Sequence, residues 1–240
     1  MIKCLTFDLD DTLWDIRPVI KNMDLKLYQW LDINAPRFTD QYTLDYFAQL
    51  KQHVVDNFPK IAHSVTDVRL KGLEISLQQV GYEQQQALDI AQQAFQVALA
   101  ARQQVTFFEH VQNSLQTLKS QGYLMGAITN GNADIHRVGL SEYFDFQFNA
   151  HDAGVEKPDP IIYQKMLEHT KLKAEQVIHI GDNPIADVQG AQQLGMATIW
   201  VNVIAQTWSH QFQADEQVNC ISDLPKAVAN IIESKTSGLC

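Results

Sequence analysis

An apolar run that ends abruptly in acid opens this chain. Ile2, Cys4, Leu5 and Phe7, with Thr6 among them, are followed at once by Asp8, Asp10 and Asp11. Such a run predicts a buried strand of a parallel sheet, because strands covered on both faces lose the polar alternation of half-exposed ones. In an open α/β sheet, ligands sit at the carboxyl ends of the strands. Crowded carboxylates at that position are costly unless a cation or a chemical task compensates. The run equally fits a strand followed by an acidic turn, since Asp favours turns and helix caps. The rest of the chain decides between the two.

Two later apolar runs also end in polar residues. Tyr123 to Ile128 leads into Thr129-Asn130-Gly131-Asn132, and Val177 to Ile180 leads into Gly181-Asp182-Asn183-Pro184-Ile185-Ala186-Asp187. Between them, Lys157 lies in Glu156-Lys157-Pro158-Asp159-Pro160, a loop that opens a helix expected from Ile161. Phe146 to Phe148 and Ala197 to Val201 add two more strand signals. Helical stretches separate these strands, which is the β-α alternation of a doubly wound parallel sheet. From Pro18 to Gln104 there is almost no strand signal. Helices are expected around Leu25–Leu31, Thr43–Val55 and Asp67–Val80. Another is expected where Ala87, Ile90, Ala91, Ala94, Phe95 and Ala98 recur at helical spacing in a Gln-rich segment.

With 240 residues and 45% hydrophobic composition, the chain can bury the core of one sizeable domain with an insertion. No stretch approaches the roughly 20 apolar residues of a membrane span, and the opening strand leaves no room for a signal peptide. Cys4, Cys220 and Cys240 have no metal or redox spacing, and an odd count suits a reducing cytoplasm. The net charge of −10 argues against nucleic acid as a partner. It also opposes phosphorylated ligands at long range, so an anion site here needs local positive charge. Lys157 with a metal ion would supply it.

Acid pair, hydroxyl, lysine and acid pair, in that order, resemble the four motifs of the haloacid dehalogenase-like superfamily. The resemblance implies a Rossmann-like α/β core, residues 1–16 and 105–240, with an all-helical cap inserted at 17–104. Caps of this kind close over the site and exclude water. Asp15 to Arg17 and Arg102 to Phe108 are the expected hinge segments.

The same resemblance assigns Asp8 as a nucleophile that forms an aspartyl-phosphate, and Asp10 as the general acid and then base. Its cofactor is Mg2+, held by the Asp8 carboxylate, the Asp10 carbonyl and the Asp182 carboxylate, with Asp187 orienting the water ligands. Thr129, Asn130 and Lys157 would hold the phosphoryl group. Trp14, Arg17 and Arg69, and also His136, are candidate substrate contacts. His179 falls inside a strand and is expected to be a core residue. Asp11 and Asp15 are expected in a loop and a hinge, and Asn183 starts a turn or touches the metal shell.

Dehalogenases of the family carry Tyr where Asp10 stands, and phosphonate hydrolases carry Ala. An acid there can protonate an alkoxide, which favours phosphoryl transfer. Mutases share the acid, so transfer to a second hydroxyl stays open, as does a receiver-like role without catalysis. Phe7 to Ile20, Asp67-Val68-Arg69 and Ala127 to Ala133 look like the bacterial phosphatases of riboflavin biosynthesis. Their implied substrate is a small metabolite, a phosphoribitylamino-pyrimidine. Phosphatases of nucleotides, phosphoglycolate or sugar phosphates are the alternatives. The oligomeric state is not read from the sequence.

Overall fold

The computed structural model describes residues 1–237, so Cys240 lies outside the described residues. The chain divides into two compact units, Met1–Asp15 with Thr106 onward, and Ile16–Val105.

The first unit is built on six strands: β1 (Cys4–Phe7), β2 (Leu124–Thr129), β3 (Phe146–Asn149), β4 (Val177–Gly181), β5 (Ala197–Val201) and β6 (Glu216–Val218). They form one sheet in the order β3-β2-β1-β4-β5-β6, and every neighbouring pair is parallel. The expected α/β fold is therefore present. β1 is central and wholly buried, with Phe7 beside Ala127 on one flank and Ile180 on the other. The chain lays β2 and β3 on one side of β1, then returns to lay β4, β5 and β6 on the other. That reversal makes the carboxyl ends of β1 and β4 the topological switch point, where open α/β sheets bind ligands.

The second unit is all helical: α1 (Ile16–Asn34), α2 (Pro36–Gln41), α3 (Tyr46–Asn57), α4 (Val65–Gln79) and α5 (Gln84–Arg102). Its core joins Leu27 and Leu31 to Phe38, Leu50, Val54, Leu73 and Leu77. The alanine stripe of α5 (Ala87, Ala91, Ala94, Ala98) packs into the same cluster, its small side chains letting the helices approach closely. The glutamines of that helix, among them Gln85, Gln92 and Gln96, are exposed and form its solvated face. Ser64 caps α4 by accepting from the Asp67 amide at 3.1 Å.

Helices α6 (Val111–Ser120), α7 (Ala150–Ala153), α8 (Pro160–Thr170), α9 (Gly190–Gln192) and α10 (Leu224–Ser237) complete the first unit. Asp159 caps α8, accepting from the Ile161 amide at 2.9 Å, with Pro160 at the first helical position. Ile162, Tyr163 and Met166 of α8 pack on Cys4, Ile128 and Val177 of the sheet. Two elements have no sequence signal: α2 is a six-residue turn started by Pro36, and β6 is three residues at the sheet edge.

Candidate active site

At the end of β1 the Asp8 amide donates to the Ile180 carbonyl at 2.8 Å, so the first acid extends the strand pairing to β4. The chain then folds back tightly. Leu9 and Leu13 are buried, the Leu13 amide donates to the Leu9 carbonyl at 2.8 Å, and Asp11 takes a left-handed φ of 56°. Asp tolerates that conformation better than most residues. The turn buries Trp14 completely and brings its indole Nε1 to 2.8 Å from Asp10 Oδ1.

The same turn presents Thr12 to β4. Its hydroxyl accepts from the Asp182 amide at 3.0 Å and donates to Asp182 Oδ1 at 3.1 Å. Trp200 of β5 donates its indole N–H to the Asp182 carbonyl at 2.7 Å. Asp182 is thus held from two sides. Beyond it, Asn183 starts a helical turn, its Oδ1 accepting from the amides of Ile185 and Ala186. That turn swings Asp187 back against the end of β4, where the Asn183 amide donates to Asp187 Oδ2 at 2.9 Å. A Cβ on Gly181 would overlap the Asp187 carboxylate, so only glycine fits there.

Lys157 enters from the loop between α7 and α8. Asn130, just past β2, accepts from the Lys157 amide at 2.7 Å and donates to its carbonyl at 2.9 Å. The lysine is 3% exposed, and Nζ lies 2.7 Å from the Ile128 carbonyl, 2.6 Å from Asp187 Oδ1 and 2.9 Å from Asp8 Oδ1. The ammonium donates hydrogen bonds to the Ile128 carbonyl and Asp187, and its contact with Asp8 is an ion pair. Thr129, also buried, accepts from the Gly131 amide at 3.0 Å.

Beneath this group, His179 of β4 lies between Thr6 and Asp187, with Nδ1 at 2.9 Å from the Thr6 hydroxyl and Nε2 at 3.1 Å from Asp187 Oδ1. Burial pulls its pKa down, so the ring is neutral near pH 7. An ionised carboxylate only accepts, which assigns the proton to Nε2 and leaves Nδ1 to accept from Thr6.

These contacts set the charges. Burial pushes the Asp8 carboxyl up to about 7, against the pull of Lys157 and with help from Asp187 and Asp10. Burial, then Asp187 and Asp8, push Asp182 up to about 8. Burial also acts on Asp187, but Lys157 and His179 outweigh it and hold this carboxyl well below the usual range. Burial opposes the charge on Lys157, yet Asp187 and Asp8 keep its pKa above the ordinary value. One cation therefore serves more buried carboxylates than it can neutralise.

A metal ion suits the excess. One carboxylate oxygen from each of Asp8, Asp182 and Asp187 lies within 4.8 Å of the others. Asp8 Oδ1 is buried without a hydrogen bond, its contact with Lys157 being an ion pair only. Asp187 already receives Lys157 and His179 on Oδ1 and the Asn183 amide on Oδ2, which leaves Asp8 and Asp182 as the better donors.

Arg17 is exposed at the start of α1, and Arg69 of α4 pairs with Asp24 of α1 at 2.8 Å, both within the helical unit. His136 is exposed in the core unit. Thr12, Thr6 and Trp200 were not singled out from the sequence. Their roles depend on bonds to residues on other strands, and nothing local signals them.

The chain belongs to the haloacid dehalogenase-like hydrolase family, whose model matches residues 2–195. A curated relative, the 5-amino-6-(5-phospho-D-ribitylamino)uracil phosphatase YigB of Escherichia coli (strain K12), is 29% identical over 231 residues, 95% of this chain and 96% of its own. The glyceraldehyde 3-phosphate phosphatase of Methanopyrus kandleri is 25% identical and covers 83% of each chain. A solved structure described as 2-haloacid dehalogenase, from Pseudomonas syringae pv. Tomato DC3000, matches with a TM-score of 0.89 at 37% identity, covering 96% of this chain and 99% of its own. Among the described residues, no helix is long and apolar enough to cross a membrane.

Proposed function

We propose that this chain is a magnesium-dependent phosphoric monoester hydrolase acting through an aspartyl-phosphate on Asp8. The observation that carries the reading is the buried Asp8–Lys157–Asp187 ion network beside Asp182 at the switch point of the sheet. An all-oxygen donor set without His or Cys suits Mg2+ over zinc. When bound at the Asp8 and Asp182 carboxylates and the Asp10 carbonyl, Mg2+ supplies the positive charge that keeps Asp8 ionised and offsets the phosphoryl oxygens. Lys157 holds Asp8 in line and contributes the resident cation. The Thr129 hydroxyl donates to the transferring group. An Asp8 oxygen bonds to phosphorus as the ester P–O bond breaks, and Asp10 protonates the departing oxygen. Asp10 then takes a proton from the water that releases phosphate and restores Asp8.

The substrate we favour is the phosphorylated ribitylaminopyrimidine named for YigB, which aligns over nearly the whole chain. Among the described residues Cys4 and Cys220 are free thiols, which accords with a reducing cytoplasm. The name of the Pseudomonas structure raises a second reading, halide displacement from a 2-haloacid. Asp10 favours the ester, since a halide leaves without a proton and an alkoxide does not.

Phosphate and halide release, measured with Mg2+ across phosphorylated metabolites and 2-haloacids, separates the two. The reading expects phosphate release, fastest from the pyrimidine, and its loss in Asp8→Asn. Halide release without phosphate release would overturn it.

A further inference from the structure

Asp10 does not stand alone at the site. Its Oδ1 accepts from the indole of Trp14 at 2.8 Å, and that indole belongs to a side chain with no exposed surface. A buried indole N–H needs an acceptor, and here it takes a carboxylate. The ring cannot easily turn away. It lies 5.9 Å from Phe107 at a tilt of 52°, and backbone bridges join Trp14 to both Asp10 and Phe107. The Asp11 amide also donates to the Trp14 carbonyl at 2.8 Å, which closes the turn around Asp10.

We infer that Trp14 is a positioning residue for Asp10, and that its N–H selects which carboxyl oxygen handles the proton. This rests on the phosphatase reading of the site. An indole N–H only donates, so Oδ1 is kept as an acceptor. The phosphatase reading needs Asp10 to give a proton, and with Oδ1 engaged by the indole that task falls to Oδ2. In the first step the Oδ2–H bond breaks and its proton passes to the bridging ester oxygen. That oxygen keeps the electron pair of the broken P–O bond while an Asp8 oxygen forms the new bond to phosphorus. In the second step Oδ2 takes a proton from the attacking water. Trp14 itself touches no reacting atom. Its effect is to remove the rotation that would leave the wrong oxygen facing the ester.

The dependence on leaving group tests this. Poor leaving groups, such as alkyl phosphates, need the proton from Asp10, whereas nitrophenyl phosphate hardly does. In Trp14→Phe, kcat/KM for alkyl phosphates is expected to fall about tenfold. For nitrophenyl phosphate it is expected to change less than about twofold. Because the second step still needs Asp10 as a base, the variant should also show a burst of nitrophenol that wild type lacks. A loss of equal size for every leaving group, or no loss, overturns the inference while wild-type activity and a dead Asp8→Asn leave the phosphatase reading standing. If wild type releases no phosphate, both fall. Should Trp14→Phe fail to fold, a benzothienyl analogue of tryptophan placed at position 14 alone keeps the shape and removes only the N–H.

Discussion

Lys157 and Asp187 show how single residues make this site work. The lysine donates to a main-chain carbonyl and to Asp187 and pairs its charge with Asp8, and Asp187 in turn is aimed by His179. Thr6 then fixes His179. A hydrogen bond to a buried charge is worth about 1.5–3 kcal/mol, so His179→Leu is expected to lower unfolding free energy by that amount. Thr6→Val should cost much less in the His179→Leu background than in wild type, because its partner is already gone. Equilibrium urea unfolding of the two single variants and the double variant measures the coupling, and strict additivity would refute the chain. The sequence singled out the acids, Thr129 and Lys157 because they follow or end apolar runs, or sit in a loop with two prolines, in the order of the family motifs. It placed His179 in the core, where the structure has it. It did not disclose that His179 reaches Asp187 across a helical turn, since that pairing depends on how the Asn183 turn bends back.

At the scale of elements, the end of β4 is the tightest joint. Gly181 leaves room for the Asp187 carboxylate where any side chain would collide with it. Gly181→Ala must therefore displace Asp187, and with it the Lys157 ammonium. A displacement of about 1 Å at a catalytic group is enough to cost about 10²-fold in rate. We expect kcat to fall by that order in Gly181→Ala while KM moves little; an unchanged kcat would show that the turn can yield. Strands with continuous apolar runs were legible as strands, down to the bounds of β5 and to within a residue at each end of β2. The short edge strand β6, Glu216-Gln217-Val218, was not, because a three-residue edge needs neither periodicity nor apolar content. α2 escaped for the parallel reason that Pro36 and the packing of Phe38 start it without a repeating stripe.

For the whole molecule, the surplus of buried acid predicts a pH response. An acid whose pKa is raised in the folded state holds its proton more tightly there than when unfolded. Its contribution to stability is complete below the unfolded value of about 4 and is lost as pH rises through the folded value. For Asp8 and Asp182 those folded values are about 7 and about 8. His179, kept neutral, acts in the opposite direction, but only below its ordinary value of about 6.5. Without divalent cation, thermal stability should therefore fall between about pH 6.5 and pH 8.5. Magnesium should raise the melting temperature more at the upper end, where it no longer competes with protons. Scanning calorimetry with Mg2+ and with chelator checks this, and equal gains at both ends would contradict it.

The position of β1 also bears on how the chain is made. It is synthesised before its neighbours in the sheet, which begin at Leu124 and Val177. When the ribosome has added Val105, every residue of the helical unit exists while the central strand still lacks both flanks. Long-range parallel pairing is slow to form and exposes apolar backbone meanwhile. The nascent polypeptide must therefore carry this buried strand without its flanks until residues beyond Val177 have been added, an interval in which its apolar side chains are open to aggregation.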